Sequence, residues 1–382
     1  MPICRGCGPS WKRRLANFTG TASTACSLRP KRPERRVMNG VATLNLDDIA
    51  ACRAWDDFVR AHRHGTVFHL TAWSRSIRDA LGHDAHPLFI LRDGAMAAVL
   101  PLIHVRSRLF GNRLVSNAFA VYGGPLASAA ADHVALDEAA WRLAQDLGAR
   151  FLEYRNRARL RPDWPANTDT YATFRMAIAA DADACLKALP GKRRNMVRKA
   201  LKSGLDYVID ADIARHYAIY AESMRNLGTP VFAKALFAHL KANYGEDCVV
   251  QIIRHQGHGI AAALSLVFRD EIHIYYAGGT RPARALAAND FMFWAVMQHG
   301  RERGLRLFDL GRSKRGTGSW TFKTLWGVAP TPLSYEFRLA PGQAMPNLNP
   351  ASGKYARAVA AWQKLPLAVA NRLGPLISRG LG

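Results

Sequence analysis

Acidic residues are scarce in this chain of 382: 29 Asp and Glu stand against 53 Lys and Arg, a formal net charge of +24. Such a balance favours anionic partners, such as RNA, nucleotide-linked substrates or an acidic membrane face. An Arg-favouring genome would leave the same excess. Cysteine is sparse too, with six residues. Cys52, Cys185 and Cys248 are singletons in apolar settings, which argues against a disulfide framework and for buried thiols in a reducing cytosol. Cys4 and Cys7 form a lone C-x-x-C near Cys26, without the second Cys/His pair that zinc requires, so no metal is expected. Long apolar runs are missing: 95–103 and 260–268 are strand-sized, far short of a membrane span. The polar stretch after Lys12, Arg13 and Arg14 is unlike a signal-peptide core, so the chain reads as cytoplasmic. No G-x-S-x-G, H-E-x-x-H or G-x-x-x-x-G-K-[ST] occurs, which removes support for covalent, zinc-protease or phosphate-loop chemistry.

What is present is unevenly placed. Residues 1–37 carry +8 and residues 341–382 carry +5, leaving +11 for the long middle. Residues 1–39 lack periodicity and read as a disordered basic extension, with Met38 as an alternative start. The rest holds the same unit twice. Phe68, a helical segment from Trp73 to Leu81, and the pair 88–94 and 97–103 recur as Phe232, a helix from Leu236 to Tyr244, and the pair 249–257 and 261–267. Phe68 to Phe232 is an offset of 164, and Leu100-Pro-Leu102 to Leu264-Ser-Leu266 keeps it. Helix, strand, turn and antiparallel strand in each half predict an α/β (α+β) fold of two similar domains, each with a mainly antiparallel sheet flanked by helices. The expected boundaries are 40–175 and 176–340, with a basic tail at 341–382. A further helix is expected from about Asp290 to Arg303, with Asn289 and Asp290 as cap candidates.

Three segments are candidates for chemistry. In FDLGRSKRGTGSWTFKTLW, from Phe308 to Trp326, a strand ends at Gly311 and a Gly-rich loop follows. Arg312, Lys314, Arg315 and Lys323 fall within twelve residues there, beside Ser313 and Trp320. Arg312 and Lys314 are candidates for phosphate or carboxylate groups. Lys323, flanked by Phe322 and Trp326, is the leading catalytic candidate, because a fixed cation at a developing oxyanion is a large catalytic term. Asp309 or Tyr276 would assist proton removal, or Asp309 would brace the loop. In KRRNMVRKALK, Arg194, Arg198, Lys199 and Lys202 share one helical arc, opposite Met196, Val197, Ala200 and Leu201, as a phosphate- or RNA-binding face or a solvated surface. In the tail, Tyr355, Val359 and Trp362 share a face opposite Lys354, Arg357 and Lys364. That is a basic amphipathic helix suited to an anionic membrane surface or to its own domain.

These segments, with GHDAHPLFILRDG, SRLFGNRLVSNAFAVYGGPLA, MRNLGTPVF, YYAGG, ANDFMFW and LPLAVANRLGPLISR, resemble the Fem-like transferases. They look closest to FemAB-type proteins encoded with exosortase (PEP-CTERM) and exopolysaccharide systems. The resemblance covers about 40–380 and implies two GNAT-like domains in tandem. It implies transfer of an amino acid from aminoacyl-tRNA to an amine of a peptidoglycan precursor, with Lys323 of the Phe-Lys pair stabilising the tetrahedral intermediate. Tyr122, Asn289 and Asp290 join Arg312, Ser313, Lys314 and Trp320 as substrate-binding candidates. The long helical arm of some tRNA-dependent members is absent, and Gly278–Asp290 lacks the glycines of the acyl-CoA pyrophosphate loop. The donor is therefore aminoacyl-tRNA or acyl-CoA, with no tightly bound cofactor. The acceptor is a lipid-linked envelope or polysaccharide precursor, as for the BioF2-like group, and no DNA partner is expected. An acyl-CoA-dependent N-acyltransferase and a non-catalytic RNA- or polysaccharide-binding scaffold remain open alternatives. Peripheral contact with the inner membrane face would run through 354–379.

Overall fold

The duplicated spacing becomes a duplicated order of elements. In the first half, strand Val41–Thr43, helices Ile49–Ala61 and Thr71–Leu81, hairpin strands Leu88–Arg92 and Ala95–Leu100, and strands Leu102–Ser107 and Gly111–Ser116 precede helix Ala130–Asp146 and strand Phe151–Asn156. In the second, strand Leu205–Ile209, helices Ile213–Leu227 and Lys234–Tyr244, strands Cys248–His255, His258–Phe268 and Glu271–Gly279, helix Ala288–Glu302 and strand Leu307–Lys314 follow the same sequence. The computed structural model describes residues 40–346 and 356–382, which belong to one compact unit. The expectations for 1–37, including the Cys4–Cys7 pair, and for Lys354 and Tyr355 lie outside the described residues.

One residue separates the two copies. In the second half, His258–Phe268 is a single strand in a seven-stranded sheet. At the matching place in the first half, Pro101 interrupts the run. Ala95–Leu100 enters a four-stranded sheet and Leu102–Ser107 a six-stranded one. Proline has no N–H to give a ladder, so the first-half sheet parts where the second-half sheet only bulges, between Leu264 and Ser265.

The halves also exchange strands. Tyr171–Ala177, next in sequence to the first half, pairs antiparallel with Leu307–Lys314. Ser334–Leu339, which ends the second half, pairs antiparallel with Phe151–Asn156. The expected boundary at 175/176 therefore runs through a strand of the second-half sheet. In each half one neighbouring pair is parallel: Leu114 opposite Leu152, and Glu271 to His273 opposite Leu307 to Asp309. Beyond His273 and Asp309 the second parallel pair is no longer in register, and this opening positions the site.

Three buried clusters hold the elements. Helix Ala130–Asp146 covers one face of the first half, its Leu136 and Ala140 in one cluster with strand residue Leu152, and helix Ala288–Glu302 covers the second half, its Phe291 and Met297 in one cluster with strand residue Phe308. The third cluster is shared: Phe68 and Trp73 from the first half join Phe237 and Tyr276 from the second. Each such fully buried aromatic contributes roughly 2–3 kcal/mol relative to exposure. Across this seam Tyr244 donates to the carbonyl of Val67 at 2.8 Å, and Asn243 to Ser76 Oγ at 3.0 Å.

Several local expectations change. Helix Ala288–Glu302 begins before Asn289, with Ala287 in the cap position at φ 54° and no side-chain cap bond. The turn Pro282–Arg284 leads into Ala287's left-handed conformation, so Asn289 and Asp290 fall in the first helical turn. Helix Gly191–Lys202 buries Val197 and Ala200, but Leu201 stays exposed. The tail forms two helices, Ala356–Gln363 and Leu367–Ser378, parted by Pro366. No helix among the described residues is long and apolar enough to cross a membrane.

Candidate active site

Strand Leu307–Lys314 does not stop at Gly311 as expected. Leu310 and Gly311 together stand opposite Phe174, since Thr173 pairs with Arg312 and Arg175 with Asp309. This bulge needs Gly311, whose φ is +80° and whose added Cβ would lie 3.2 Å from the carbonyl oxygen of Ile274. Arg312 and Ser313 thus belong to the strand, not to a loop. The Gly-rich turn comes later, and Thr317 caps helix Gly318–Leu325 by accepting the Trp320 N–H at 3.4 Å. That cap is why Lys323 sits on a helix rather than in the expected loop.

Lys323 lies in the last turn of this helix and is 6% exposed. Its ammonium donates to the carbonyls of Gly311 at 2.9 Å and Arg312 at 3.0 Å. It also faces the ring of Phe174 at 5.6 Å. Two of its three N–H donors are spent on the strand, and one remains for a ligand. Burial pushes its pKa down to about 7, against the opposing pull of Asp309.

Asp309 is fully buried at the centre of a network. Gly311 N–H donates to Oδ1 at 2.7 Å, Thr173 Oγ1 to Oδ1 at 3.3 Å, and Tyr122 Oη to Oδ2 at 3.0 Å. Tyr122 and Thr173 are hydrogen-bonded to each other. Arg175 Nε and His273 Nδ1 each stand 3.6 Å from Oδ2. Burial alone would raise the carboxyl pKa; His273, the Gly311 N–H, Arg175 and Arg157 outweigh it and hold the pKa below the ordinary value. His273 itself is neutral at pH 7, its pKa pushed to about 4 chiefly by burial. Tyr122 comes from the first half and Thr173 from the exchanged strand, so both halves build this network.

The other expected residues divide. Arg312 donates to Tyr335 Oη at 2.8 Å and stacks over Tyr171 at 4.6 Å. Ser313 Oγ is buried without a hydrogen-bond partner. Lys314 ends the strand, opposite Tyr171. Trp320 meets Phe174 edge-on at 5.2 Å. Tyr276 stands apart: it packs with Tyr220, Phe232 and Phe237, and its hydroxyl has no partner. Asn289 is exposed. Asp290 is buried and accepts from Arg193 at 2.8 Å. Arg194 is turned inward onto the carbonyls of Lys187 and Leu189, while Arg198, Lys199 and Lys202 are exposed. Sequence reasoning missed Thr173, Arg175, Arg193 and His273, whose partners lie on other elements. No cluster of three or more His, Cys, Asp or Glu able to hold a metal occurs among the described residues.

The opened parallel pair, a helix behind it and the buried Lys323 between them are the decisive arrangement. Residues 191–324 match the family described as an acetyltransferase (GNAT) domain. The match takes in helix Gly191–Lys202, the opened strands and Lys323. Solved structures extend the likeness to both halves. The crystal structure of FemX superposes with a TM-score of 0.58 at 14% identity, covering 75% of this chain and 96% of that one. The C-terminal domain of a putative lysylphosphatidylglycerol synthetase from Agrobacterium fabrum gives 0.51 at 16% identity, covering 81% and 94%. The L-PGS of Bacillus licheniformis gives 0.50 at 15%, covering 77% and 93%. At such identities the likeness is one of fold: two GNAT-like halves in tandem, with mixed sheets flanked by helices. No curated protein matches the chain by sequence.

Proposed function

We propose that the protein is an acyl or aminoacyl transferase that acylates an amine of a cell-envelope or exopolysaccharide precursor. The observation that carries this reading is Lys323, a buried cation with one unspent donor at the opening between strands Glu271–Gly279 and Leu307–Lys314, inside the GNAT-like region. The acceptor nitrogen attacks the donor's ester or thioester carbonyl carbon. A C–N bond forms and the carbonyl π pair becomes an oxyanion, to which Lys323 donates. Collapse breaks the bond to oxygen or sulfur, and the proton lost by nitrogen ends on the departing alcohol or thiol. Asp309, fully engaged by hydrogen bonds, holds the strand and Tyr122 in place rather than receiving that proton.

The donor is a CoA thioester or an aminoacyl-tRNA. The family description favours the first. The exposed Arg198, Lys199 and Lys202 favour a polyanion and so the second. The tail supports work at the inner membrane face. Helix Leu367–Ser378 turns Ala370, Gly374 and Ser378 onto its own domain, Ser378 donating to the Val231 carbonyl at 3.0 Å, and leaves Val369, Leu373 and Leu376 outward. One structural neighbour is named for a lysylated lipid, which fits a lipid-linked acceptor. An acceptor from exosortase-linked polysaccharide assembly is the narrowest form of the proposal.

The experiment incubates purified protein with charged tRNA or CoA thioesters and lipid-linked precursors, and reads products by mass spectrometry. An acceptor heavier by one acyl or aminoacyl group supports the reading. No mass shift with any donor favours the binding-scaffold alternative.

A further inference from the structure

A second polar cleft opens behind the Asp309 network. It encloses about 190 Å³ and is lined by Arg63, Arg157, Arg175, Arg269, Asp270 and Glu271, with Gly65 and Phe268. Four guanidiniums thus meet two carboxylates. Arg175 is hydrogen-bonded to Glu271, which offsets that acid, and Arg269 donates to the carbonyls of Val59 at 2.9 Å and His62 at 2.6 Å. The other two arginines are less engaged. Arg63 makes no hydrogen bond or ion pair among the described residues. Arg157 lies over the ring of Tyr122 at 4.4 Å; its Nε and Nη2 are buried without hydrogen-bond partners, and Nη2 keeps only a long ion pair with Glu271 at 3.7 Å.

Buried guanidinium donors without acceptors are costly, and a charged oxyanion relieves them. We propose that this cleft binds a phosphate group, held by the guanidiniums of Arg63 and Arg157. The space is that of about six waters, at roughly 30 Å³ each. It takes a phosphate with some solvent. The phosphate is a free ion or the end of a headgroup. Because Arg157 covers Tyr122, and Tyr122 donates to Asp309, a bound phosphate fixes the first-half side of the Lys323 site. Binding does not depend on the transferase reading and is measured without turnover.

The test is isothermal titration of the full chain with inorganic phosphate, glycerol 3-phosphate and acetate at matched ionic strength. Saturable binding of inorganic phosphate, absent with acetate, is expected. Arg63→Gln and Arg157→Gln should each weaken it at least about tenfold, as loss of a charge-assisted hydrogen bond implies. Arg63 is exposed, so its variant keeps the fold, checked by an unchanged Tm. Glycerol 3-phosphate binding as tightly identifies a headgroup; inorganic phosphate alone identifies a free ion. No saturable binding, equal binding of acetate, or unchanged affinity in Arg63→Gln would overturn the proposal.

Discussion

Lys323 is fastened to the strand it serves: its ammonium donates to the carbonyl of Gly311 at 2.9 Å, across the bulge where Gly311 takes a φ of +80°. A left-handed glycine turns its carbonyl toward a buried lysine, and the lysine satisfies it. The same contact holds one cation rigidly where two parallel strands open.

Burial sets the charge of that cation. The folded pKa of Lys323 is about 7, below the 10.5 of a free lysine. Between those values the unfolded chain binds more protons than the folded one, so this group makes stability rise with pH across that window, while below pH 7 its full cost applies. Urea denaturation of wild type and Lys323→Met at pH 6, 7.5 and 9 should show the wild type gaining on the variant as pH rises. A constant difference would mean that Lys323 titrates normally.

Asp309 and Tyr276 are expected to behave oppositely. Asp309→Ala leaves Arg175, Tyr122 and Thr173 without their shared acceptor and should cost about 3 kcal/mol or more. Tyr276→Phe removes a hydroxyl that bonds nothing, so stability should change by less than about 0.5 kcal/mol and turnover should stay near wild type. Chemical denaturation and a steady-state assay check both. A large loss of turnover in Tyr276→Phe would instead make it the group that takes the proton.

Helix Gly191–Lys202 should separate structural from binding charge. Arg193 is the partner of buried Asp290, so Arg193→Ala should cost about 3 kcal/mol. The exposed trio Arg198, Lys199 and Lys202, replaced together by Ala, should leave Tm unchanged. It should weaken tRNA binding and lower the salt slope by about 2–3 in log–log form. An unchanged slope would leave this face a solvated surface.

The tail should likewise divide. Deleting 367–382 uncovers Val231 and removes the Gly380 carbonyl to which Arg113 donates at 2.8 Å, so Tm should fall by several degrees. Leu373→Asp with Leu376→Asp, on the outward face, should spare Tm yet weaken sedimentation with phosphatidylglycerol vesicles about tenfold or more. Equal vesicle binding by wild type and the double variant would remove the membrane contact.

Much of this was legible in the sequence, for local reasons. The 164-residue offset became two matching sets of helices and strands, because hydrophobic spacing is a property of short segments. Pro101 at the place of Ser265 was visible as well, but its effect, parting one sheet into two, depends on strands far along the chain. The strand exchange was hidden for the same reason: nothing within 171–177 tells that its partner is 307–314. Lys323 stands out in the sequence by its aromatic neighbours, whereas its helix and its carbonyl partners do not. Thr173, Arg175 and His273 converge on Asp309 from two strands, and no spacing in one segment signals that. Tyr276 was placed near the chemistry by its strand, yet the bulge at Leu264 and Ser265 lies beside it, and its ring enters the aromatic cluster.

The most direct measurement compares wild type and Lys323→Ala in a single-turnover product assay, with acylated acceptor counted by mass spectrometry and folding verified by circular dichroism. The account predicts a folded variant whose transfer step is slower by roughly 100-fold or more, with donor affinity little changed. A folded Lys323→Ala protein that forms product at the wild-type rate would contradict it.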